Sequence, residues 1–384
     1  MGSSRRFLNL IVNNRIPGTI SLRCIDLKRH QLFNTTTPAQ SEPPIRKTLK
    51  MDSIGLPSPS FSFLSSAKDN RWYINCIPLA GRKVFCTDHN GRTILLDADT
   101  RQVDIMPNLQ SPKWRPISIF VPSDDASDNP ENLEGGSIFV TESAPDSEVV
   151  RSSGQLSSQF EAFVYQNQKT TLNPWHHLLL PPPPFVCEPM YRQPPNIRSY
   201  AVVGGVNGRS SQICISTEDA GTYSLDTVRH TWSRLGEECA LPFHGKVEYV
   251  PELKLWLGIS SKDCTLAAAD LSAMASSQVT PLVVSAGMEF DPPEEWKVCR
   301  HPQLVNLGCG RFCIVRFFYT STPLAVLGEV YQEYFVVLTG VEVVRRDNDV
   351  SGNGSKGEVE LQMIKHESWH HMCFGTDGTI EAAF

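Results

Sequence analysis

The sequence predicts an all-β fold: a single β-propeller domain spanning residues 1–384, with about six blades, seven as the alternative, and long inter-strand loops. Three observations predict it. Helix-period apolar patterns are nearly absent, short apolar or alternating runs recur between Gly, Pro, Asn and Asp, and one Asp-centred turn is repeated.

The runs come in order along the chain. They include Trp72–Ile77, Val84–Cys86, Thr93–Leu96, Phe160–Tyr165, Tyr200–Val203, Leu253–Ile259, Phe312–Tyr319 and Tyr334–Leu338. Each is short and rich in β-branched and aromatic residues, which suits strands. The one helix-like segment is the Ala-rich stretch Leu266 to Ser276.

The turn is more informative. Asp26 is followed by His30 and Leu32, Asp97 by Arg101 and Val103, and Asp226 by His230 and Trp232. In each copy an apolar residue precedes Asp, a basic residue stands four later and an apolar one six later. Such a unit reads as a hairpin in which Asp accepts from local amides and the returning strand places a core residue. The first two Asp residues are 71 apart and the next two 129 apart, which leaves room for one diverged unit containing Phe163–Tyr165 and Trp175. A weaker copy lies at Asp270, and the tail from Arg311 supplies one more. About 64 residues per unit then gives six, and four-stranded repeats of this kind are how propeller blades read in sequence.

The fourth unit carries Tyr200-Ala201-Val202-Val203-Gly204-Gly205, then Tyr223, Asp226 and Trp232. It resembles a kelch blade, so the fold is expected to be kelch-like. The Gly pair would serve a turn, and Tyr and Trp would fill the space between blades. A dinucleotide-binding Gly loop is excluded because Gln212–Ile215 reads as a strand where a helix is required. Polar stretches at 122–136, 141–158 and 347–357 are expected to be flexible surface loops. Pro181–Pro184 reads as a rigid connector between blades, with an SH3-type ligand as the alternative.

Composition narrows the function. With 35 Lys+Arg against 41 Asp+Glu, a net charge of -6 and dispersed basic residues, nucleic-acid binding is not expected. No apolar run approaches the ~18–20 residues of a membrane span. Eleven cysteines, odd in number and without a Cys-x-x-Cys pair, read as reduced packing thiols in a cytoplasmic or nuclear protein. The first residues fit neither a secretory signal nor a myristoylation signal. Mitochondrial or plastid targeting is the weaker alternative, since Arg5, Arg6, Arg15 and Arg23 precede the first acidic residue, Asp26.

His366-Glu367-Ser368-Trp369-His370 matches the His-Glu-x-x-His spacing of zinc hydrolases. That motif works on a helix, where residues i and i+4 converge; along a strand they stand ~13 Å apart. Val359–Met363 alternates like a strand, and the extended motif's Gly and third-ligand His positions are occupied by Cys373 and Thr376. The match is therefore read as incidental, at a strand end. No catalytic, cofactor-binding or metal-binding residue is assigned, binding residues are unknown, no cofactor is expected, and no other constellation supports an enzyme.

Arg6–Val12, Ser21–Asp26, Leu255–Ser260, Pro292–Trp296, Gly310–Phe317 and Leu338–Val343 carry a further resemblance. The chain is similar, over nearly its whole length, to a plant family expanded in grasses and labelled domain of unknown function 1618. That resemblance implies a relative of kelch and F-box-associated propellers with no established catalytic residues. It also places residues 6–33 in a blade, where a first strand could complete the last blade and close the ring. The expected function is a non-catalytic protein-interaction module, monomeric, with an unidentified protein partner. The alternative is a propeller enzyme or a small-molecule or metal binder using the central channel. A diverging copy with no retained role is a third reading.

Overall fold

The computed structural model describes residues 4–14, 19–34, 51–64, 73–79, 81–123, 136–145, 156–166, 173–188, 194–204, 211–235, 240–272, 281–282, 289–323, 330–346, 360–373 and 378–384. These residues form an all-β structure, and the only helical element among them is the 3₁₀ turn Pro184–Val186.

The strands fall into six units. The first holds β1 (Phe7–Asn13), β2 (Thr19–Asp26), the short β3 (Asp52–Ser53) and β4 (Phe61–Leu64). The second holds β5 (Ile74–Pro78), β6 (Lys83–Asp88), β7 (Thr93–Asp97) and β8 (Val103–Ile105). The third holds β9 (Pro116–Val121), β10 (Ser137–Glu142), β11 (Ser157–Tyr165) and β12 (Trp175–Leu180). The fourth holds β13 (Ile197–Val203), β14 (Gln212–Thr217), β15 (Thr222–Asp226) and β16 (Thr231–Leu235). The fifth holds β17 (Phe243–Val250), β18 (Leu255–Ser260), β19 (Leu266–Ala269) and β20 (Pro281–Leu282). The sixth holds β21 (Lys297–Gly308), β22 (Arg311–Pro323), β23 (Val330–Arg346) and β24 (Glu360–Met372), and β25 (Thr379–Ala383) ends the chain.

Within each unit the strands pair in sequence order as an antiparallel meander. Units four and five are fused into one sheet by the parallel pair β13 and β17, in register Ser199 with Gly245. The exceptions are β25, which pairs with β1 and makes the first sheet β25-β1-β2-β4, and β3, which pairs in parallel with β24. The N-terminus was expected to complete the last sheet. Instead the C-terminal strand completes the first, and the early segment reaching the last sheet is β3, at its outer edge.

Side chains of one strand alternate between the two faces of its sheet. Here both faces are buried, which explains why the second strands read as continuous apolar runs. Leu8, Leu10 and Val12 pack with Cys313, Val315 and Phe317 of the last unit, while Ile11 packs with Val84 and Cys86 of the second. Phe85 meets Val140 and Phe163, Phe139 meets Ile213 and Tyr223, Cys214 meets Phe243 and Trp256, and Leu257 meets Phe312 and Ile314. Each core is thus shared by two consecutive units, and the sixth by the last and the first.

The repeated turn is a structural fact. Asp26, Asp97 and Asp226 end strands β2, β7 and β15 and Asp270 directly follows β19, and their carboxylates accept from amides two residues on at 2.9–3.0 Å. The amides of His30, Arg101 and His230 donate to the carbonyls of Asp26, Asp97 and Asp226. Arg101 and His230 have φ of 62° and 54°, so the left-handed backbone that closes this turn is what the basic position supplies in those two copies. The expected core residue six later holds for Leu32, which is fully buried, and partly for Trp232, whose Nε1 donates to Pro181 O at 2.9 Å. It fails at Val103, which is exposed because β8 is the outer edge of its sheet.

Other expectations need correction. Leu266–Ala269 is strand β19, fully buried between neighbours, and close packing of its three alanines outweighs their helix propensity. Pro182 and Pro183 are buried and Pro181 is held by Trp232, as a connector requires. Of the Gly pair, Gly204 has φ of 97° and Gly205 lies outside the described residues. So does most of each polar stretch at 122–136, 141–158 and 347–357. Cys86, Cys214, Cys313 and Cys373 are buried and burial pushes the Cys313 thiol up to about 12, whereas Cys299 and Cys309 are exposed.

One buried charged network ties the second unit to the third. Glu161 is fully buried and accepts from Lys113 Nζ at 2.5 Å, Gln110 N at 2.7 Å and His177 Nε2 at 2.6 Å. Removing one partner of a buried ion pair strands the other, at about 3–5 kcal/mol. Glu161→Ala should lower unfolding free energy by that amount in urea titration, and a loss below about 1 kcal/mol would contradict the network's role. Deleting residues 379–384 should cost about 3–6 kcal/mol from Ile380 and Phe384 alone, both buried. Calorimetry should then find no cooperative transition near the full-length one, and an unchanged melting profile would refute the dependence on β25.

Candidate functional site

Three places gather chemistry-bearing side chains. The first is the His-Glu-x-x-His segment, which lies wholly within strand β24 and not at its end. Thr339 pairs with Ser368 and Val341 with Lys365, so His366 and Glu367 together oppose Gly340 in a bulge. The Glu367 amide freed by the bulge donates to Leu32 O at 3.2 Å. A Cβ on Gly340 would meet that same carbonyl at 2.6 Å, so glycine is needed there for the approach.

His366 is buried against Phe33, accepts from Asn34 N at Nδ1 at 3.2 Å, and so directs Nε2–H to Glu342 at 3.3 Å. His371 contacts the carbonyls of Ile54 and Gly378. These imidazoles pin the turn after β2 and the segment after β3 to the last sheet. Among the described residues no three His, Cys, Asp or Glu side chains are grouped as a metal site would need.

The second place is the group of strands β5, β13, β17, β21 and β25. Arg300 on β21 pairs with Glu381 on β25 at 2.8 Å, and Lys246 on β17 pairs with Glu248 at 2.5 Å and donates to Leu79 O, after β5, at 2.8 Å. Beside them stand Arg198 on β13, His244 on β17 and His301 on β21. The parallel register that sets Ser199 by Gly245 puts Arg198 next to His244. The rings of His244 and His301 stack with centroids 3.5 Å apart and 25° between planes. Burial, then His301 and then Arg198, lowers the His244 pKa from 6.5 to about 4.

The third place is the outer end of the β22–β23 ribbon, far longer than the other hairpins. Its body is buried through Phe318 and Phe335, but Tyr331 and Tyr334 are 45% exposed and Val330 is 57% exposed. Tyr319 and Tyr334 face each other across the strands with centroids 5.8 Å apart, and on the other face Val298 on β21, paired with Phe318, is 60% exposed.

Sequence reading named the first place and missed the other two. Arg198, His244 and His301 are 46 and 57 residues apart, about one repeat each, and all lie early in the first strand of a unit. Aligning the repeats strand by strand would have found them.

The family model described as a protein of unknown function (DUF1668) matches residues 5–372. The chain belongs to this family. It is a different family from the 1618 label that the sequence resembles. No curated protein matches. Among solved structures, an auxiliary nutrient binding protein from Bacteroides ovatus is similar at 12% identity with a TM-score of 0.33; the match covers 77% of this chain and 59% of that protein's length. Among the described residues no helix is long and apolar enough to cross a membrane.

His244 makes stability depend on pH with a defined sign. Its folded pKa is depressed, so between pH 4 and 6.5 the unfolded chain holds a proton that the folded chain does not, and stability falls on acidification through that window. The wild-type urea midpoint should drop more between pH 7 and pH 5 than that of His244→Gln. Parallel drops in the two proteins would show that His244 does not titrate this way.

Proposed function

We propose that the six units are the blades of a single β-propeller domain, and that the protein is a non-catalytic interaction module which binds a protein partner through the end of the β22–β23 ribbon. The fold reading is supported by the cyclic sharing of six cores, and by inner-edge contacts that run from β25 to β5 and β9, and from β13 through β17 and β21 back to β25. The functional reading rests on one observation. Val330 and Tyr334 expose apolar surface on one face of the ribbon's end and Tyr331 and Val298 on the other, so both faces are apolar there, whereas exposed apolar residues on a monomer are normally scattered. Tyrosine supplies contact area with few rotamers to freeze and a hydroxyl for the rim, which suits recognition of protein. The protein acts as a monomer in the cytoplasm or nucleus, and nucleic acid is not its ligand.

A second reading, a small molecule bound among the inner-edge strands, is favoured by the unpaired basic groups there and is developed below. The experiment for the first compares Tyr331→Ser/Tyr334→Ser with Ile105→Ser, at an exposed position on β8, as bait in native extract. The ribbon variant should melt within about 2 °C of wild type and lose whichever partner the wild type and the β8 variant both retain. A partner retained by all three proteins would place the interface elsewhere.

A further inference from the structure

Arg198, His244 and His301 differ from the charged groups around them. Lys246 and Arg300 are neutralised by Glu248 and Glu381, but no carboxylate among the described residues lies within ion-pair reach of Arg198, His244 or His301. Three basic side chains from three strands converge without a counter-charge. They are also accessible: Arg198 and His244 are partly buried and His301 is exposed.

Next to them the backbone leaves room. Gly245 has φ of 73°, and a Cβ placed on it would meet nothing within 4 Å. Its left-handed conformation breaks the regular pairing of β17 with β18, which shifts register between His244 and Glu248. The irregularity leaves open space beside the imidazoles.

We propose that Arg198, His244 and His301 form a binding site for the phosphate group of a small molecule. A guanidinium offers a fork of two N–H donors and each imidazole one, so the three side chains together offer four donors. That number matches the several acceptor oxygens of a phosphate better than the two of a carboxylate. A bound dianion offsets the charge on Arg198, and the stacked imidazoles can each donate to it without being charged in the free protein. The site lies on strands and not on loops, so its donors are held in place before the ligand arrives.

The test titrates inorganic phosphate into the full chain at low ionic strength while following imidazole C–H signals by NMR. The signals of His244 and His301 should move together on one isotherm, and Arg198→Ala should weaken binding at least about tenfold, with Arg198→Lys in between. Unchanged near-ultraviolet circular dichroism would establish that the variants fold. If Arg198→Ala does not fold, His301→Gln, at an exposed position, serves in its place with the same expected loss. Absence of any shift up to about 20 mM phosphate, or equal affinity in wild type and variant, overturns the site. Acetate moving both signals at the same concentration as phosphate overturns the phosphate assignment and leaves an unselective cationic patch.

Discussion

The hydrogen bonds that join β25 to β1 hold the two ends of the chain in one sheet, and the rest of the structure depends on them. The Asn9 amide donates to Phe384 O and the Phe384 amide to Asn9 O, both at 2.9 Å. The last sheet buries Ile380 and Ala383 with Leu8, Leu10 and Val12, while Phe384 enters the core shared with the second unit. One five-residue strand therefore contributes to two of the six cores. Because every sheet buries both of its faces, each core is bounded by two units and none is complete without its neighbours. Loss of the end strand removes apolar side chains from two cores at once, which is a larger change than fraying a terminus.

A second tie runs the opposite way. The turn after β2 does not fold back as a tight hairpin; it crosses to the last sheet, where Leu32 O accepts from Glu367 and His366 accepts from Asn34. Gly340 is what lets the two backbones meet, and the bulge at His366 and Glu367 is what turns an amide toward the visitor. A sequence resembling a metalloprotease motif is accounted for by packing: one histidine buried against Phe33 and Glu342, one glutamate contributing its amide, and a second histidine further along the strand.

These two ties explain what could and could not be read in advance. Strands such as β6, β14, β18 and β22 were legible because burial on both faces makes them unbroken apolar runs. The Asp turns were legible because the same local hydrogen bonds recur at the end of the third strand in several units. The destination of β25 and β3 was not legible: five-residue and two-residue strands carry no signal of which sheet edge will accept them. Leu266–Ala269 misled because alanine favours helix in isolation, while here its small side chain is selected by tight packing between units. The grouping of Arg198, His244 and His301 was hidden because its members are a repeat apart and each alone is an ordinary polar residue.

That last point bears on where function can reside in such a structure. Cores between sheets use up most apolar side chains of the second and third strands, and the polar groups buried among them, such as Thr339 and Ser368, bond to one another. Buried charge elsewhere is tied down, as Lys113 is by Glu161 and Arg316 by Glu289 at 2.7 Å. Such pairs hold neighbouring units in register and are not available to a ligand. Basic groups left without a carboxylate partner on strands are a different case, because an anion could supply the counter-charge that the protein does not. The cores shared by neighbouring units oppose their separation. On the proposed reading, the packing of neighbouring units would hold these donors together before a ligand arrives.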